Sequence, residues 1–92
     1  MLKHFNIMLY GNVQGVFLRR TVKHEAGRRG ITGLVRNEAD GTVYIEAEGN
    51  EEVLPEFVQW LKSGGGEGDY QIKEVDTEEG SFQGYTAFEI KE

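Results

Sequence analysis

The chain has 92 residues and no cysteine, and its 10 lysines and arginines face 16 aspartates and glutamates, for a formal net charge of −6. That length holds one hydrophobic core and no second domain, and the missing thiols exclude disulfides, thiolate catalysis and cysteine-ligated metals. The acidic balance opposes adhesion to nucleic acid or an anionic membrane, where positive charge supplies most of the affinity.

An anionic small molecule stays open, because local charge governs a small site. The opening Met1-Leu2-Lys3-His4-Phe5-Asn6 offers no apolar run for a signal peptide or a membrane span. A soluble, cytoplasmic protein is expected, with a monomer as the default.

Phe5, Ile7 and Leu9 alternate with His4, Asn6, Met8 and Tyr10, the period-two pattern of a strand. Gly11-Asn12-Val13-Gln14-Gly15 interrupts it. Leu18, Val22 and Ala26 then recur every four residues, which marks a helix face, and Gly30 is a natural stop. Residues 33–37 read as a short strand. Asp40-Gly41 is a hairpin signal leading into a strand where Val43, Ile45 and Ala47 alternate with Tyr44, Glu46 and Glu48. Asn50 is placed to cap a second helix, with Val53, Leu54, Phe57, Val58 and Leu61 as its apolar face. Pro55 falls near the first turn, where a missing N–H costs least. The run Ser63-Gly64-Gly65-Gly66-Glu67-Gly68 is a loop, and Tyr70–Val75 and Tyr85–Ile90 read as strands.

The order β-α-β-β-α-β with a final strand segment predicts one α+β domain over residues 1–92. It is a ferredoxin-like sandwich with an antiparallel sheet and both helices on one face. Such folds carry many functions, so the chemistry must be read from a site.

The segment Gly11-Asn12-Val13-Gln14-Gly15-Val16-Phe17-Leu18-Arg19 lies between a strand and a helix start. Successive backbone N–H groups there can converge on an anion, and the helix N-terminus adds free N–H groups and partial positive charge. Gly15 lets the backbone approach a ligand, and the Arg19 guanidinium can grip two phosphate oxygens. It is neither a Walker loop nor a dinucleotide fingerprint, since the glycine spacing is wrong and no Lys-Ser/Thr follows. Taken alone, the same residues describe a tight turn followed by a solvated arginine.

Val13-Gln14-Gly15-Val16-Phe17-Leu18-Arg19 resembles the first signature of the acylphosphatase family. The second signature is matched by Gly33-Leu34-Val35-Arg36-Asn37-Glu38-Ala39-Asp40-Gly41-Thr42-Val43, with Glu48-Gly49 following. The resemblance spans essentially the whole chain. It implies that Arg19 binds phosphate, that Asn37 positions water, and that Gly15, Val16, Phe17 and Leu18 form the backbone cradle. Leu18 replaces a usual phenylalanine and Leu34 a usual aromatic, which leaves less packing volume beside both segments. Arg29 takes a place that is usually apolar, and the 64–68 run lacks a proline often found there.

The implied reaction is hydrolysis of small acyl phosphates to carboxylate and inorganic phosphate. An acyl phosphate releases a carboxylate, which departs without a proton, so a general acid is unnecessary. In-line positioning and charge stabilisation suffice, and no metal or other cofactor is expected. Expected partners are therefore a small acyl phosphate or inorganic phosphate, not nucleic acid and not a membrane. An alternative is a catalytically weak or inactive module of the same fold that binds a small anion or effector. RNA binding would need aromatic side chains for base stacking on the central strands, and Val43-Tyr44-Ile45-Glu46-Ala47 supplies one aromatic and an acid. A fragment resembling the N-terminal domain of carbamoyl-transferring hydrogenase maturation factors is disfavoured, because the chain lacks zinc-binding cysteines and ends just after its last strand. His4 and His24 lie outside both motifs and read as surface or packing residues.

Overall fold

The computed structural model describes residues 1–91. Strand β1 (Leu2–Asn12) leads to helix α1 (Val16–Arg28), strands β2 (Thr32–Asn37) and β3 (Val43–Asn50), helix α2 (Val53–Lys62), and strands β4 (Gln71–Gly80) and β5 (Phe88–Lys91). The strands form one sheet in the order β4-β1-β3-β2-β5. Helix α1 packs over β2 and β5, and α2 over β3 and β4.

The antiparallel sheet expected from the element order holds for β4, β1, β3 and β2. It is corrected at β5, which runs parallel to β2. The cause is where the chain crosses. β4 ends at Gly80, opposite His4. His4 pairs with Glu48, and Glu48 with Thr32, the first residue of β2. A strand entered from that end of the sheet must run in the direction of β2.

Alternation along the strands points Ile7, Leu9, Val35, Val43, Ile45 and Ala47 at the helices. There they meet Leu18, Val22 and Ala26 of α1 and Leu54, Phe57 and Leu61 of α2 in one core. Each valine, leucine, isoleucine or phenylalanine among them contributes about 1.5–3 kcal/mol when fully buried. Trp60 borders this core and stacks on Phe57 with ring centroids 5.9 Å apart. Leu18 is itself fully buried in the core, and Leu34 is buried as well.

Three boundaries differ from the sequence reading. Asn50 ends β3, paired with Leu2, and α2 starts at Val53 with Glu52 at its N-cap. Asn50 still accepts the Glu52 N–H at 3.0 Å, so its side chain is used two residues ahead of the N-cap. β4 continues to Gly80 because its pairing with β1 does, although its exposed residues lack an alternating pattern. β5 starts at Phe88 rather than Tyr85, because the Tyr85 N–H donates to the Glu48 side chain instead of a neighbouring strand. The glycine run is tied down: the Gly65 N–H bonds to the Trp60 carbonyl at 3.0 Å, and the Gly65 carbonyl accepts the Tyr70 hydroxyl.

Candidate active site

The phosphate-loop candidate follows β1 directly. Val13 is fully buried and anchors the turn, whereas Gly15, Val16 and Phe17 are exposed. Gly15 is the N-cap of α1 at φ +121°. A Cβ there would meet nothing within 4 Å, so it is the backbone conformation, not space, that calls for glycine. Among the described residues no side chain caps the helix, and no acidic residue stands in its first turn. The opening N–H groups, from Val16 onward, therefore keep their capacity to bind an anion.

The side chains of the loop divide its work. Leu18 points into the core and offers only its N–H to the loop, while Val16 and Phe17 face outward. Arg19 is largely buried, and its Nε donates to the Gly15 carbonyl at 3.3 Å. That bond folds the guanidinium back toward the glycine that opens the cradle. A hollow of about 300 Å³ lies there, lined by Val16, Arg19, Arg20 and Ile90. A separate hollow of about 510 Å³ on the uncovered sheet face, beside Tyr10, Tyr44 and Asp76, contains none of these residues.

Asn37 closes β2, paired with Val43. Its Oδ1 is buried and has no hydrogen-bond partner among the described residues. Buried polar atoms are nearly always paired, because an unmet acceptor forfeits about 1–3 kcal/mol of hydration. The strand leading to it is fixed by backbone contact: a Cβ on Gly33 (φ +145°) would fall 1.8 Å from the Glu46 carbonyl oxygen. The turn after it is fixed by Asp40, whose Oδ1 accepts both the N–H and the hydroxyl of Thr42 at 3.0 and 2.6 Å. Those Thr42 bonds, the hydroxyl's first, hold the Asp40 carboxyl below its ordinary pKa.

Gln14 joins the two halves. Its Nε2 donates to the Glu38 carbonyl at 2.6 Å and the Thr42 carbonyl at 3.1 Å. The loop carrying Arg19 is thereby tethered to the hairpin carrying Asn37. The sequence placed Gln14 inside the first motif without a role for it. A long amide beside the loop glycine was the only signal, and its acceptors lie 24 and 28 residues away.

His4 is a packing residue, as its isolation suggested. It is buried, and its Nδ1 lies 2.7 Å from Glu48. Arg28, Arg29 and Arg36 are engaged by Glu25, Glu56 and Glu38.

Comparison with known proteins identifies relatives of this chain. The acylphosphatase family model matches residues 5–90. An acylphosphatase of Ligilactobacillus salivarius is 48% identical over 62 residues, covering 67% of this chain and 69% of that protein. One of Geobacillus kaustophilus is 43% identical over 63 residues, covering 68% and 67%. The crystal structure of the Bacillus subtilis acylphosphatase superposes with a TM-score of 0.90 at 36% identity, covering all of both chains. The chain belongs to the acylphosphatase family.

Proposed function

We propose that this chain carries out its family's hydrolysis of acyl phosphates with Arg19 and the 15–18 backbone as the phosphate cradle and Asn37 as the water holder. The observation that carries these roles is the buried, unpartnered Oδ1 of Asn37, set across the Gln14 tether from the cradle. A water that donates to that oxygen meets its unmet hydrogen-bonding capacity and is aimed at phosphorus. Arg19 and the N–H groups hold the non-bridging oxygens and stabilise the charge that shifts in the transition state. Water oxygen bonds to phosphorus as the bond to the acyl oxygen breaks. The carboxylate leaves with the electron pair, and the water proton passes to a phosphate oxygen. Asn37 is not a base; it orients.

A small-molecule acyl phosphate is thus the partner, and the protein acts as a cytoplasmic monomer. The absence of cysteine accords with that location, and sedimentation tests the monomer.

The deciding experiment follows benzoyl phosphate hydrolysis by wild type, Arg19→Ala and Asn37→Ala. Wild type turns over, and each substitution lowers kcat by about 10²–10³. Phosphate binding without wild-type turnover would sink the hydrolase reading and leave an anion-binding module.

A further inference from the structure

We propose that Arg20 and Lys23 form a second anion subsite beside the phosphate loop, selecting acyl phosphates whose acyl group carries a negative charge of its own. This rests on the assignment of the cradle to residues 15–19.

The hollow at Arg19 adjoins a wider groove along α1, and Arg20 and Ile90 are walls of both. Lys23, His24, Gly27 and Arg28 complete that groove. Positions 20, 23, 24 and 27 fall on one helix face, and Gly27 leaves its floor bare, since a Cβ there would meet nothing within 4 Å. In-line displacement puts the acyl oxygen on the far side of phosphorus from the attacking water. The acyl group therefore leaves the side held by Asn37, and the adjoining groove is open to receive it.

Charge pairing singles out two of the groove's cations. Lys3, Arg28, Arg29, Arg36 and Lys91 each sit against a glutamate. Arg20 and Lys23 are exposed and have no acidic partner among the described residues. Two uncompensated cations one helical turn apart, in a chain of net charge −6, make a local positive field next to the reacting phosphate. A carboxylate or phosphate on the acyl group would meet Arg20 as a bidentate fork and Lys23 as a point charge.

The test compares two acyl phosphates of equal length, butyryl phosphate and succinyl phosphate, which differ by one carboxylate. In Arg20→Gln/Lys23→Gln, the ratio of kcat/KM for succinyl over butyryl phosphate is expected to fall about fivefold, the scale of two exposed charge contacts. Raising the ionic strength should narrow the wild-type ratio toward that of the variant. Lys62→Gln/Lys73→Gln removes the same charge from a different surface, beside Ile72 and Val75, and should leave the ratio as in wild type. The subsite is refuted if Arg20→Gln/Lys23→Gln keeps the wild-type ratio, or if the Lys62/Lys73 pair lowers it equally. A wild-type protein that hydrolyses neither substrate would instead refute the hydrolase reading beneath it.

Discussion

Asn37 and Glu48 stand toward opposite ends of β3, one paired with Val43 and the other with His4 and Thr32. Both hold polar oxygens out of water, yet they are treated in opposite ways. The Asn37 Oδ1 has no partner among the described residues. The Glu48 carboxylate is 1% exposed and is fully engaged. It accepts the backbone N–H groups of Gln83, Gly84 and Tyr85, the last two at 2.9 and 3.0 Å, and pairs with His4 at 2.7 Å. An acceptor left open is a place for a ligand. An acceptor saturated by three N–H groups from a segment without regular structure is a fastener. It pins the 81–87 connection across the sheet end and so delivers β5, whose Ile90 walls the Arg19 hollow. Function and stability are thus lodged on two paired strands, with Asn37 on β2 and Glu48 on β3, five register positions apart.

This contrast predicts that the two positions fail differently. Asn37→Ala should lower kcat by about 10²–10³ with little change in unfolding midpoint, because the deleted oxygen bonds to nothing in the protein. Glu48→Ala should reverse the pattern. It strands three backbone N–H groups and the His4 ring, and each buried polar group left unpaired costs about 1–3 kcal/mol. Its kcat at a temperature where it remains folded should stay near wild type. Paired urea titrations and benzoyl phosphate kinetics check both. Equal destabilisation by the two substitutions would erase the distinction.

The tether between the halves sharpens it further. Gln14→Ala removes both bonds to the hairpin while leaving Arg19 and Asn37 in place. We expect a loss of about tenfold in kcat/KM, the scale of a disturbed near-attack geometry, with a change in stability of about 1 kcal/mol. Retention of full activity would mean that cradle and hairpin are held in register by the core alone.

The sequence carries some of this more openly than the rest. Asp40-Gly41 announces its hairpin because turn chemistry is local, and Leu18, Val22 and Ala26 announce α1 because a helix face has a fixed period. Asp76 to Gly80 is the half of β4 that the sequence hides, since an edge strand with little burial has no alternation to show. Asn50 reads as a helix cap because the competing claim on it, pairing with Leu2, lies 48 residues away. Arg19 and Asn37 are visible through two spaced motifs. Glu48 follows the second motif, but its fastening role does not show, because its partners on the connection are backbone N–H groups about 35 residues on, which no residue pattern marks.

The smallest effects are those of pH, and they too separate the regions. The proposed mechanism uses no general acid or base, so kcat should vary little near neutrality; a steep change near the ordinary histidine pKa would reveal a missed acid or base. The fastener behaves otherwise. Burial pushes the Glu48 carboxyl upward, but the N–H of Gln83, the His4 ring and the N–H groups of Tyr85 and Gly84 outweigh it and set the net pKa below the ordinary 4.5. The unfolded chain then binds a proton at Glu48 before the native protein does. The stability from Glu48 is whole above the ordinary carboxylate value and drains away as pH falls toward the lowered native one. Glu25, held down by Arg28 and Arg29, adds in the same direction. Urea midpoints should therefore decline from about pH 5 downward, and Glu48→Gln, which cannot titrate, should flatten that decline while lowering the plateau. An unchanged acid slope in Glu48→Gln would place the acid-sensitive fastening elsewhere, with Glu25 the next carboxylate to substitute.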